Sequence, residues 1–492
     1  VLPGALSKSE LSTAMPTSGG SYVYIARTFG PLVGTITGLG LWVSFVLKSS
    51  FALIGFSAYF VVLTNVVGVQ IDMKIISLSV LVLLVGINIL GVGKIKAIQG
   101  PIVTVSIALL VVLSIWALTL PNVDMSAAFA LDYSMGGTWA LAETTAFVFV
   151  AYAGVTKIAA IAEEVKNPDK NLPQGIILSL VISALLYAGV MMVMGTILPA
   201  ETFVDGSLHP IEDPVYRFAQ FVAGYKFGLI AALVAVLSMI SMALAGVLAS
   251  SRFPFAMARD NLLPSAMENV HPLYETPRNA ILITGLGMAL AIIFLPVHEI
   301  AKLASGFKIM VFMLINLCVI VLRTSKVTNV WYHPTYKSPL YPAVQIFGVV
   351  SGLALLFVMG VTAVIGASFA IIVGTILYYS YGRKKSLRGK SPWVVLWARM
   401  SKDVEADTLL WRSVFQACDI GRKGHINLKE FQTAMHVLEP GIVDDDLRVF
   451  WHNVDSNEDG IIDIEQFLEA LHENAEPPTL TSVNGTSLKL DL

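Results

Sequence analysis

The sequence predicts an all-α polytopic membrane protein with a small soluble α-helical domain behind its last membrane helix. Three observations lead there. First, the 492 residues are 55% hydrophobic and 13% charged, with a mean hydropathy of +0.74, against roughly 25% charged in a soluble globular chain. Second, ten stretches are apolar and long enough to cross a bilayer, which takes about 20 residues because no water is there to satisfy backbone groups outside a helix. Third, two acidic twelve-residue windows recur in a polar tail that begins after Tyr381.

The apolar stretches lie near 31–63, 75–93, 101–120, 139–162, 174–198, 227–251, 279–296, 303–322, 341–358 and 360–381. Residues 1–15 read as the end of an earlier helix, so the chain, opening at Val1, is expected to lack its natural N-terminus. The first full stretch carries Lys48 at its centre. We read it as one tilted helix, because each half alone falls under about 17 residues. One set of loops holds Arg27, Lys94, Lys96, Lys166, Lys170, Arg252, Arg259, Arg278, Arg323, Lys326, Lys337 and the run Arg383 to Lys390. The opposite set holds few cations (Lys74, Arg217, Lys226, Lys302) beside Asp205, Glu212 and Asp213. The excess of Lys and Arg puts the first set, and the tail with it, in the cytosol.

Other classes are disfavoured. A net charge of −2 gives no reason to expect nucleic acid. Cys318 lies in an apolar run and Cys418 in the polar tail, so neither a disulfide framework nor a zinc site is on offer. No cleavable signal peptide, catalytic triad, metalloprotease motif or phosphate loop is visible in these residues, and an enzyme is not expected. Composition divides the chain into a membrane domain (1–385), a juxtamembrane linker (386–404), a helical domain (405–474) and a disordered tail (475–492). The basic run Arg383 to Lys390 reads either as a stop-transfer flank or as a site for anionic lipid.

Three segments carry a family resemblance. The first is Pro16-Thr17-Ser18-Gly19-Gly20-Ser21-Tyr22-Val23-Tyr24 followed by Phe29-Gly30-Pro31. The second is Phe149-Val150-Ala151-Tyr152-Ala153-Gly154, leading into Ala162-Glu163-Glu164-Val165-Lys166-Asn167-Pro168 and Asn171-Leu172-Pro173. The third is Ser251-Arg252 and Ala256-Met257-Ala258-Arg259-Asp260-Asn261-Leu262-Leu263-Pro264. In this order they resemble the amino acid–polyamine–organocation (APC) permeases over residues 1–385. The resemblance implies a leucine-transporter-type inverted-repeat bundle, with helix one and most of helix two absent from this chain. It also implies alternating access around a substrate held near the midplane between broken helices.

Gly154 sits in mid-span within Ala151-Tyr152-Ala153-Gly154 and has no Cβ to resist unwinding. Unwound backbone is tolerated in a membrane only where it meets a cavity or ligand. The resemblance places substrate on Val150, Ala151, Tyr152, Ala153 and Gly154; a close helix contact between small residues is the other reading. Lys48 and Lys157 put charge deep in apolar helices, where a charge costs roughly 2.5–3.5 kcal/mol. Each is either a coupling group that stands in for sodium and carries a proton, or a structural charge paired with a carbonyl or carboxylate. Ser238 and Ser241 are further coupling candidates, since sodium-coupled relatives use hydroxyls of that helix; bonding to their own helix is the alternative. Glu163, Glu164, Lys166 and Arg259 are either gating ion pairs or solvated flanks.

The acidic windows begin at Asp419 and Asp455 and resemble a pair of EF-hand calcium loops. In the second, Asp455, Asn457, Asp459 and Asp463 stand at positions one, three, five and nine, with Gly460 at six. Ile461 offers its carbonyl at seven, and Gln466 replaces the usual bidentate Glu at twelve. In the first, Gly421 and Lys423 occupy positions that need oxygens. We therefore expect one weakened calcium site and one ion-free partner, the alternative being two hands kept for packing. Ile426 and Ile462 hold equivalent eighth positions, where paired loops join in a short β-ribbon. The whole reads as a secondary transporter of amino acids or related amines, coupled to protons or sodium, with a cytosolic calcium-binding domain. A nutrient-sensing receptor and a calcium-controlled channel are the other readings.

Overall fold

The computed structural model describes residues 1–17, 19–91, 95–120, 137–155, 165–198, 200–204, 211–274, 276–324 and 334–383. It also describes residues 158–159, 162, 332, 415, 419, 424–432, 451, 454–455, 459–467, 480–481 and 487–488. The bundle comprises α1 (Leu2–Ala14), α2 (Ser21–Phe29), α3 (Pro31–Val66), α4 (Met73–Ile89), α5 (Ile95–Leu118), α6 (Gly137–Val148) and α7 (Pro168–Ile197). It continues with α8 (Pro214–Ala223), α9 (Tyr225–Arg259), α10 (Arg278–Phe294), α11 (Val297–Thr324), α12 (Ala343–Val358) and α13 (Val361–Leu377). Among the described residues, six helices are long and apolar enough to cross a membrane, and α4, α10 and α12 are shorter apolar helices. The protein is thus an integral membrane protein.

The stretch around Lys48 is one helix. Its 36 residues measure about 54 Å, well beyond the roughly 30 Å of hydrocarbon and long enough to span it with tilt. Pro31 starts it at a position where a missing N–H costs nothing, after Gly30 at φ +93°. Along its length α3 packs on α9, and at Gly246 the contact leaves no room for a Cβ against Ser49. The most apolar window is 78% buried in α11 and 61% in α3, but only 17% in α5 and α7. The first pair is therefore the centre of the bundle and the second its rim. Outward-facing Leu185, Phe347 and Phe357 suit contact with lipid.

Serines inside the spans bond back to their own helix, as Ser49 does to the Phe45 carbonyl (2.8 Å) and Ser50 to that of Val46 (3.0 Å). Two of the sequence motifs meet in space. The buried Tyr22 hydroxyl donates to Asp260 Oδ2 at 2.6 Å, joining α2 to the end of α9. The stretch 139–162 departs from the single span expected. Its α-helix ends at Val148, and the chain continues as a 3₁₀ segment over Phe149–Gly154.

In the tail, β1 (His425–Asn427) and β2 (Ile461–Asp463) pair antiparallel with Ile426 opposite Ile462. Both isoleucines are buried, as are Phe415, Phe431, Trp451, Val454 and Phe467. Phe415 meets Phe467 (5.6 Å between ring centroids) and Phe431 meets Trp451 (5.7 Å). A further two-residue ribbon pairs β3 (Leu480–Thr481) with β4 (Ser487–Leu488).

Candidate functional site: a broken helix beside a cavity

A switch from α to 3₁₀ bonding leaves backbone groups at the junction without their i−4 partners. Ser305 of α11 takes up two of them at once. Its Oγ accepts from the Val150 N–H (3.0 Å) and donates to the Phe147 carbonyl (3.0 Å). The break is thereby tied to the most buried of the six long apolar helices, beside the edge-on pair Phe149 and Phe312 (5.4 Å).

Beyond the break lies a cavity of about 400 Å³, within the usual size of small-molecule sites. Ala151 and Gly154 line it from the 3₁₀ segment, Lys48 from α3, and Ser179, Ser183 and Tyr187 from α7. A Cβ on Gly154 would lie 3.4 Å from Lys48 Nζ, so ammonium and break share one wall. Tyr152 reaches the same region through its ring contact with Tyr187 (5.3 Å). Apolar walls, two serine hydroxyls, a phenol and one ammonium suit a small polar solute with an anionic group.

Of the residues singled out from sequence, Lys48, Ala151 and Gly154 come together here, while Val150 bonds to Ser305. Lys157, Glu163, Glu164 and the side chain of Ala153 lie outside the described residues. Ser238 is elsewhere, its hydroxyl bonded to that of Ser106 on α5, and the Ser241 carbonyl accepts from Gln99 Nε2 (3.3 Å). Neither serine lines the cavity.

Two features were missed. Lys308 of α11 is 1% exposed and sits over the rings of Phe45 (5.0 Å) and Phe312 (5.3 Å), next to the break. Its signal was in plain view, a lysine inside the stretch 303–322. The second is Glu10 of α1, fully buried. Its carboxylate accepts from Arg323 Nε (2.7 Å) and Nη2 (2.6 Å), the Tyr332 hydroxyl (2.8 Å) and the Ser338 N–H (2.8 Å). Arg323 also stacks on Tyr341 at 4.4 Å. Burial and the Glu10 charge raise the Tyr332 hydroxyl well above its ordinary pKa. This cluster fastens α1, α11 and the segment 332–341 together at one end of the bundle.

In the tail, Gly424 (φ +79°) and Gly460 (φ +76°) occupy equivalent turns, a conformation that favours glycine. Their N–H groups donate to Asp419 Oδ2 (2.9 Å) and Asp455 Oδ2 (3.0 Å). Asp463 Oδ1 accepts from the Glu465 and Gln466 N–H groups, and Gln466 Oε1 from the Asp463 N–H. The second oxygen of Asp455, Oδ1, is buried without a hydrogen-bond partner. Asn457 lies outside the described residues. Among the described residues no group of three or more His, Cys, Asp or Glu stands ready to hold a metal ion.

A bundle of long apolar helices, with one helix broken beside a cavity, defines a polytopic membrane protein. Residues 1–380 match the amino acid permease family, and the chain belongs to it. It is similar to the branched-chain amino acid permease BcaP of Bacillus subtilis, 28% identical over 400 residues, which is 78% of this chain and 83% of that one. It is similar to the methylthioribose transporter of the same organism, 30% identical over 406 residues and covering 78% and 84% of the two chains. BcaP of Lactococcus lactis is 27% identical over 399 residues, 77% of this chain and 84% of that one.

Proposed function

We propose that the protein is a secondary active transporter of amino acids or related amines, working by alternating access at the break over Phe149–Gly154. The observation that carries this is the meeting of Gly154 and Lys48 on one wall of the cavity. Backbone freed from an α-helix supplies fixed dipoles, and a lysine supplies a cation for a substrate carboxylate or for coupling. Relatives named for branched-chain amino acids favour aliphatic substrates, in keeping with Ala151, Val155 and Ile158 around the cavity. The test is uptake of labelled leucine, isoleucine and valine by vesicles containing the protein as its gene encodes it, with methylthioribose as a competing candidate. Accumulation above the gradient that collapses with an uncoupler or on sodium removal supports the reading. Downhill entry unaffected by either treatment argues against it.

The tail, in this reading, is a cytosolic EF-hand pair that binds calcium and regulates the carrier. The partnerless, buried Asp455 Oδ1 is an acceptor in want of a cation, and the surrounding donor set is all oxygen, as calcium prefers. Asp455, Asn457, Asp459, the Ile461 carbonyl, Asp463 and Gln466 would hold the ion. Calcium there would supply a fixed positive charge that orders the second loop against the ribbon.

A further inference from the structure

A second cavity, of about 350 Å³, lies at the end of the bundle away from the Glu10 cluster, between the start of α4 and the α10–α11 turn. Its walls are apolar: Ile54 of α3, Ile292 of α10, and Leu295 and Val297 at the turn. Two groups of opposite charge also line it. Lys74, in the first turn of α4, is held there because Asp72 caps the helix, accepting from the Lys74 N–H at 2.8 Å. Its ammonium donates to the Ile293 carbonyl (3.3 Å) and keeps two further donors. Facing it from the segment before α8 is Glu212, whose Oε2 is buried and has no hydrogen-bond partner. That segment is anchored by the Val215 N–H on the Tyr59 hydroxyl (3.2 Å). Burial, with Asp213 beside it, raises the pKa of the Glu212 carboxyl.

A buried carboxylate oxygen left unmatched costs free energy unless a donor arrives from outside. A donor for Glu212 and an acceptor for Lys74, carried side by side on one carbon that also bears an apolar side chain, describe one small molecule. We propose that this cavity is a second ligand site, taking a free aliphatic α-amino acid with its ammonium on Glu212, its carboxylate on Lys74 and its side chain against Ile54, Ile292 and Val297. The site shares no lining residue with the cavity at the break and stands independently of the transport reading.

The test is equilibrium binding of labelled L-leucine to the full chain in phosphatidylcholine nanodiscs, using Gly154→Trp to obstruct the cavity at the break. Gly154→Trp is expected to retain one leucine site, and both Glu212→Gln and Lys74→Met in that background should weaken it at least tenfold. Val297→Trp, which fills the cavity without touching either charge, should abolish it, so a folding defect at one position cannot mimic the result. Two truncated probes, 3-methylbutylamine and 4-methylpentanoate, should each bind at least tenfold more weakly than leucine. Loss of all leucine binding in Gly154→Trp, or binding indifferent to Glu212→Gln, overturns the proposal. So does leucine binding that disappears when phosphatidylethanolamine is added, which would assign the cavity to a lipid headgroup. A single wild-type site removed by Glu212→Gln but not by Gly154→Trp would support this site while counting against the one at the break.

Discussion

Replacing Glu10 by Gln is expected to be among the most damaging single changes in the bundle. The carboxylate is fully buried and receives four donors, two from Arg323 and one each from Tyr332 and Ser338. An amide keeps one acceptor oxygen, turns an NH₂ towards donors of which only the Tyr332 hydroxyl can also accept, and leaves the guanidinium without its counter-charge. Breaking a buried ion pair costs about 3–5 kcal/mol. The Arg323 side chain is 19% exposed, so water screens part of the loss and about 3 kcal/mol is the expected figure. Unfolding in mixed micelles, followed by circular dichroism, measures it. A double-mutant cycle with Arg323→Met should return a coupling above about 1 kcal/mol. Glu10→Gln within about 0.5 kcal/mol of the wild type, the ordinary range of surface substitutions, would refute the view that this cluster holds α1 to α11.

Ser305→Ala should cost about 1–3 kcal/mol, because it strands both the Val150 N–H and the Phe147 carbonyl; it should depress uptake while Ser305→Thr restores part of it. Gly189→Ala, where an added Cβ meets nothing within 4 Å, should leave stability and uptake unchanged, and a loss there would mean that glycine packing has been misread. Calorimetry on the full chain should find one calcium site, at roughly 10⁻⁵ M or weaker, since position twelve lacks its carboxylate. Gln466→Glu should tighten that site, Asp455→Ala should abolish it, and Asp419→Ala should do little; two tight sites would contradict the assignment.

Much of this architecture could be read from residue patterns, for identifiable reasons. Apolar length reports spans directly, because lipid forbids unsatisfied backbone, and the α3 helix around Lys48 follows from the shortness of either half. At Ala151-Tyr152-Ala153-Gly154 the sequence left two readings open, an unwound segment around Gly154 and a close helix contact, and the chain there is 3₁₀. The pairing of Ile426 with Ile462 follows from equivalent positions in two similar windows. What escaped was long-range. Glu10 and Arg323 are 313 positions apart, and nothing local in a short opening helix marks its glutamate as the partner of a distant arginine. Ser305 looks like any serine that bonds back to its own helix until the fold sets it against the two exposed groups of the break. Lys308 was overlooked although its signal matched that of Lys48, and its cation–π neighbours come from two different helices.

The central claim is that substrate is carried at the break, on the wall shared by Gly154 and Lys48. Uptake of labelled leucine by energised vesicles, comparing the wild type with Gly154→Leu at matched protein levels, tests it most directly. The added side chain must enter the space within 3.4 Å of Lys48 Nζ. The account predicts that uptake falls at least a hundredfold while the variant remains folded and monodisperse. Uptake by a folded Gly154→Leu protein at the wild-type rate would contradict it.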